Sequence, residues 1–267
     1  MSFLVTAPLF LFMAFLLSSN YLSQRNLQKT AAERFLQDME KRARTVSYFF
    51  AERRNDIETL TENRAISVFF ENKALNMSME YGLMASLLGV ANEFQDFVDE
   101  KKFEGNPIYS RLVFITKEGE LLADTAFGSG IRSQPIDWSD FLTRKDSPGA
   151  VVDDLAGKDF SVYVSAPYLF KGRYSGQVVG FIRAHQIFDH FTEAGATHRQ
   201  SLDIIHSGHN FRIAGDRSWV PENIHLKLLK DLPVGHVQGL DAEANLKESR
   251  HLLAVRGPVN QTPLFLV

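Results

Sequence analysis

The stretch "RLVFITKEGELLADT", residues 111–125, reads as an apolar strand, a charged turn holding Gly119, and a second apolar strand. Glycine in such a turn supplies a positive φ at little cost. Side chains alternate along a strand, so Arg111 shares a face with Val113 and Ile115, while Leu112 and Phe114 take the other. Both faces are apolar, the pattern of a sheet covered on two sides. Nothing in the hairpin is catalytic chemistry.

Downstream the same texture continues. "GAVVDDL", "FSVYVSAPYLF" and "GQVVGFIRAH" read as further short strands, with Lys171 to Gly176 as the turn between the last two. Pro167 lies inside a strand run and marks a bulge or an edge, because proline donates nothing to a ladder. Residues 185–195 read as a connecting helix ended by Gly195. Then the plan repeats. "SLDIIHSGHNFRIAGD", residues 201–216, restates the opening hairpin, and residues 251–267 restate the closing one, with Pro258 in the place of Pro167. A helical piece at 221–233 lies between. The β region is a duplication at the level of plan.

Upstream the period changes from two to 3.6. Phe35, Met39, Ala43, Val46, Phe50, Ile57 and Leu60 form one apolar stripe among charged residues, and neither proline nor glycine occurs from Ser18 to Tyr81. A helix from about Asn20 to Asn63 is expected, about 60 Å long. A stalk-like helix of this kind predicts weak parallel dimerisation through Phe35, Met39, Val46, Phe50, Ile57 and Leu60. Leu83, Leu87, Val90, Phe94 and Phe97 predict a second helix, and "GNP" at 105–107 ends the helical region. The first residues, Phe3 to Leu17, carry no charge. The run is somewhat short for the ~20 apolar residues that span a bilayer, and lacks the basic lead of a signal peptide; it is read as a membrane anchor, residues 1–22, whose cytoplasmic flank is missing. The chain closes within an apolar strand, and a continuation is expected.

Composition narrows the classes. Hydrophobic residues are 45% and charged residues 23%, enough for a buried core. Net charge is −3, which gives no footing for nucleic acid. The chain has no cysteine, so disulfides, thiolate metal sites and cysteine nucleophiles are excluded. His206 and His209 form H-x-x-H, without a third ligand in view. Asp153 and Asp154 read as a solvated turn or a helix cap. No nucleophile elbow, phosphate loop or dinucleotide fingerprint occurs. No cofactor is expected.

An anchor, a very long helix, and two successive sheet units resemble the double Cache (tandem PAS-like) extracytoplasmic sensor domains of bacterial membrane receptors, above all those of sensor histidine kinases. The residues that carry the likeness are "VFITKEGELLADT", "VSAPYLFKGRYSGQVVGFIRAHQI" and "AVRGPVNQTPLFLV". It covers roughly Gln24 to Val267. The resemblance implies an α+β fold: a long N-terminal helix followed by two tandem PAS-like antiparallel-sheet units. Residues 23–104 would be a helical region packing on both units, 105–195 a membrane-distal ligand-binding unit, and 196–267 a smaller membrane-proximal one. It implies a non-catalytic small-molecule sensor in the periplasm, a homodimeric receptor in the bacterial inner membrane, and a cytoplasmic output outside this chain. That output is first a histidine kinase in a two-component system, then a chemotaxis receptor or diguanylate cyclase. An extracytoplasmic hydrolase and an adhesion module are the competing classes. Amino-acid-sensing members carry an Arg-x-x-Trp cluster; here Arg132 and Trp138 stand six apart, so that motif does not transfer.

The candidate ligand-binding residues are Tyr109, Arg111, Asp124, Trp138, Tyr163 and Ser165. Arg111 offers a fork that matches a carboxylate, making a small organic acid the first candidate ligand. Tyr109, Trp138 and Tyr163 would wall a cavity, Ser165 would share a face with Tyr163, and Asp124 would take a cationic group. Arg111→Ala is expected to weaken binding more than folding.

Overall fold

Freedom from proline and glycine beyond the first turns lets one helix, α1 (Phe3–Thr61), run for 59 residues, about 88 Å. The computed structural model describes residues 3–103, 105–126, 138, 141, 151–155, 161–182, 202–206, 209–214, 237–244, 248–255, 257–258 and 265–266, with side chains for 10–103, 105–126, 138, 141 and 162–182. The segments read as helices at 185–195 and 221–233 lie outside the described residues. Among the described residues, no helix is long and apolar enough to cross a membrane.

Asn63 restarts the helix: its side chain accepts the Ala65 N–H at 2.8 Å and caps α2 (Arg64–Ala74). A kinked turn, Met79–Leu83, leads into α3 (Met84–Glu100), one residue from the predicted start at Leu83. After a small ribbon of β1 (Lys102–Phe103) and β2 (Asn106–Pro107) comes a sheet. Its strands are β3 (Tyr109–Thr116), β4 (Leu121–Asp124), β5 (Val151–Leu155), β6 (Ser161–Phe170) and β7 (Arg173–Ile182), in the spatial order β4-β3-β7-β6-β5, all antiparallel.

Two turns close the hairpins differently. Gly119 takes the positive φ of the β3–β4 turn, as expected. Between β6 and β7 the turn is only Lys171 and Gly172, both at positive φ, shorter than the expected Lys171 to Gly176. Paired positive φ values match the right-handed twist of the strands, so a two-residue loop suffices and Arg173 to Gly176 join the ladder. Pro167 sits where β6 has run past the end of β5, whose pairing stops at Ser165. The missing N–H therefore faces an edge.

One face of this sheet packs on helices. Phe50 and Ile57 of α1, Ile66 of α2 and Phe94 of α3 are fully buried, with Leu112 and Phe114 of β3. Phe70 stacks at 5.0 Å on Tyr168 and 5.7 Å on Phe114. Each such fully buried side chain contributes roughly 1.5–3 kcal/mol. The stripe from Met39 to Leu60 is thus covered within the chain. Phe35 is half-buried, and every residue from Phe10 to Ala31 is exposed.

The second sheet has the order β12-β13-β8-β9, formed by β8 (Leu202–His206), β9 (His209–Ala214), β12 (Gly257–Pro258) and β13 (Phe265–Leu266). Read from β9, it places the opening hairpin beside the closing strands, as β4-β3-β7-β6 does in the first sheet. A similar order of four strands thus occurs in both sheets. Between β9 and β12 in sequence lies a hairpin, β10 (Val237–Ala244) against β11 (Glu248–Val255). Residues 251–255, expected as the first strand of the closing hairpin, pair with β10 instead of with the last strand, because β10 runs alongside them over eight residues. The chain divides into two compact units, residues 1–42 with 221–257, and residues 43–220 with 258–267.

Candidate functional site: an aromatic-lidded face of the first sheet

The other face of the five-stranded sheet belongs to Val113 and Ile115 of β3, Val179 and Phe181 of β7, and Tyr163 of β6, all buried. Register sets this. Arg111 stands opposite Phe181, Phe181 opposite Tyr163, and Val179 opposite Ser165. Asp124 stands opposite Val113, on the same face. Two residues of the connection from β4 to β5 cover this face. Phe141 is buried and packs edge-on to Tyr163 at 4.9 Å and Phe181 at 6.1 Å, and Trp138 lies 5.7 Å from Phe141 and 6.4 Å from Phe181.

Arg111 ends this face. Its Nε and Nη2 donate to Asp124 Oδ1 and Oδ2 at 2.8 and 2.6 Å, a bidentate fork. Asp124 Oδ1 also accepts the Ala126 N–H at 2.9 Å. The pair is largely withdrawn from solvent, at 13% and 5% side-chain exposure. The Arg111 guanidinium lies 5.0 Å from the centre of the Trp138 ring, in cation–π range. Further along, the Ser165 hydroxyl is buried at 1% exposure and has no hydrogen-bond partner among the described residues. An unpaired buried hydroxyl is costly, and here it lies on the face lidded by aromatics.

Four of the six predicted residues thus gather: Arg111, Asp124, Trp138 and Tyr163, with Ser165 one step along the same strand face. Asp124 is engaged by Arg111 itself rather than left to await a cation. Tyr109 goes elsewhere. The register slips between Tyr109 and Arg111, and the extra residue, Ser110, rotates Tyr109 onto the helix-covered face. There its ring is 5.7 Å from Phe97, and its hydroxyl lies 3.4 Å from Asp56 Oδ2 and 3.5 Å from the Arg53 carbonyl. Burial first, and then the Asp56 carboxylate, push the Tyr109 phenol well above its ordinary value. Sequence reasoning missed Phe141 and Phe181. Phe181 was legible by alternation from Val179; Phe141 stands in a connection with no period to read. Asp153 and Asp154 belong to a strand, β5, rather than a turn or a cap. His206 and His209 are the facing pair that closes the β8–β9 hairpin.

A cluster of charges fixes Tyr109's surroundings. Asp56 receives Lys101 Nζ at 2.8 Å on Oδ1, and Arg53 Nε approaches Oδ2 at 2.9 Å. That last approach is poorly aligned for a hydrogen bond, so it holds chiefly by charge. Arg53 also lies 2.9 Å from Glu52 Oε2 and stacks over Phe49 at 5.0 Å. Three elements, α1, α3 and β3, meet at this point.

No protein-family model and no curated protein matches the chain. Solved structures do. The sensory domain of the Campylobacter jejuni chemoreceptor Tlp3 with isoleucine bound superposes with a TM-score of 0.61 at 10% identity, over 91% of this chain and 93% of that one. The V. cholerae histidine kinase DctB sensor domain gives 0.57 at 9% identity, over 88% and 96%. The ligand-binding domain of the Pseudomonas fluorescens chemoreceptor CtaA in complex with L-serine gives 0.57 at 12% identity, over 90% and 96%. The fold is that of these sensory domains. It is α+β, a long N-terminal helix followed by antiparallel sheets, as the resemblance implied.

Proposed function

We propose that this chain is the extracytoplasmic sensor domain of a bacterial membrane receptor, binding a small molecule on the lidded face of its first sheet. One observation carries the reading: in a fold shared with ligand-binding sensory domains, that face gathers a withdrawn Arg111–Asp124 pair, the Trp138–Phe141 lid and an unpaired Ser165 hydroxyl. The guanidinium keeps N–H groups beyond the two given to Asp124, and these are free to meet a carboxylate entering beside Trp138. Aromatic walls suit an apolar body. Small organic acids and amino acids are the first candidates, since neighbours of the same fold were solved with isoleucine and L-serine.

In this reading residues 105–195 form the membrane-distal binding unit and 196–267 the membrane-proximal one. The N-terminal helix attaches the domain to the inner membrane, with the domain in the periplasm. The receptor is a homodimer, and α1 offers its partner the exposed stretch before Met39, because the stripe beyond is occupied. The domain performs no catalysis; occupancy passes through its helices to a histidine kinase, or to a chemotaxis or cyclase output. A ligand drives this only by its difference in affinity for two arrangements.

Thermal unfolding of the protein in the presence of organic acids, amino acids, amines and nucleobases tests it. A ligand at 100 times its Kd adds about 2.7 kcal/mol, and Trp138 fluorescence should report its arrival. Silence from every class, in both readouts, would sink the proposal.

A further inference from the structure

The turn between α2 and α3 has its own chemistry, apart from the sheet. Three of the chain's six methionines, Met77, Met79 and Met84, fall within eight residues there. They are 38%, 48% and 44% exposed, although a thioether is ordinarily core material. The backbone around them is unusual. Asn76 has φ 56, Tyr81 departs from helical geometry at φ −113, ψ 57, and Gly82 has φ 106. Non-glycine residues at positive φ are uncommon, and such departures cluster at functional sites.

The kink folds the segment that carries the three back over Gly82. The Met84 N–H donates to the Met79 carbonyl across Tyr81 and Gly82, so residues five apart become neighbours. Met77 folds over the same turn: its Sδ is 3.3 Å from where a Cβ on Gly82 would stand. Backbone hydrogen bonds from Met77 to Asn72 and from Leu83 to Ser78 pin the frame. Between Ala74 and Asn92 the single charged residue is Glu80, so no cation competes within the segment.

Thioethers are soft, polarisable donors on three rotatable bonds. Soft sulfur ligands select Cu(I) over hard divalent ions. We propose that Met77, Met79 and Met84 form a thioether site for a soft monovalent cation, Cu(I), which Ag(I) imitates without redox chemistry. The site goes beyond the sensor reading and is independent of it, since it shares no residue with the lidded sheet face.

Titration of Cu(I) under anaerobic conditions against bicinchoninate, whose copper complex is coloured, measures the site directly. The protein should withdraw one equivalent. Met77→Leu, Met79→Leu and Met84→Leu keep volume, and each should weaken binding at least about tenfold, as loss of a ligand costs no less than loss of an outer-shell partner. The triple leucine variant should withdraw none, and Met39→Leu should bind as the parent does. With Ag(I) and methyl-labelled methionine, the methyl resonances of residues 77, 79 and 84 should shift while that of buried Met39 stays. Copper left wholly with the chelator, a triple variant that binds like the parent, or unmoved methyl resonances would each overturn the site. None of these outcomes bears on ligand binding at Arg111 and Trp138.

Discussion

Arg111 shows how one side chain can be read correctly by address and incompletely by company. Alternation from Val113 placed it on the right face. Its partner could not be read, because Asp124 reaches it across a turn and by register. The consequence is energetic. As a surface ion pair Arg111 would matter little to folding, at most about 1 kcal/mol. Withdrawn and bidentate, it matters more: Arg111→Ala leaves the Asp124 carboxylate unpaired and should cost ~3–5 kcal/mol. Replacing both, Arg111→Met with Asp124→Leu, should recover most of that in urea unfolding while still abolishing ligand response. Recovery of stability with binding intact would remove the pair from the site. Tyr109 carries a second test. Its phenol is held neutral in the fold, so the folded protein keeps a proton that the unfolded chain releases above about pH 10. Stability is therefore full below that pH and declines as pH rises further. Tyr109→Phe should show a shallower decline above pH 10 than the parent; an identical slope would mean the phenol ionises in place.

At the scale of elements, Gly180 of β7 sets how closely the sheet meets the helices. A Cβ at Gly180 would stand 2.8 Å from Ile57 Cδ1, 2.9 Å from Tyr109 Cε1 and 3.0 Å from Leu112 Cδ2. Gly180→Ala should cost ~1–3 kcal/mol as overpacking. Ile57→Val removes the nearest atom, so the double variant should be less destabilised than the sum of the singles; strict additivity in chemical denaturation would show that the contact is slack. Elements also mark where sequence was readable. The α1 stripe and the β3 pattern were plain, since period and burial agree in both. The β10 strand was not, because "VQGLDAEA" carries neither branched residues in number nor a clean alternation. The Ser110 bulge left no local mark, and it alone sent Tyr109 away from the candidate site.

At the scale of the whole molecule, α1 is core from Met39 to Leu60 and surface before that. From Phe10 to Ala31 nothing is covered, and Phe10, Leu11, Phe15 and Leu22 are 76%, 70%, 68% and 54% exposed. A chain starting at Lys29 should therefore unfold within about 2 °C of the full chain, the range of changes that touch only surface, by calorimetry in mild detergent. A larger drop would mean that the first helical turns support the fold. The charge cluster where α1, α3 and β3 meet bears on movement. Its contacts among Arg53, Asp56, Lys101 and Tyr109, at 2.8 to 3.5 Å, fit one rotational setting of the helix. A slip by one residue turns a helix about 100° and advances it about 1.5 Å, which would part them all at once. If the chain is the proposed sensor, α1 would then act as a ratchet with a detent: a message passed along it would leave this point as a discrete click rather than a gradual slide.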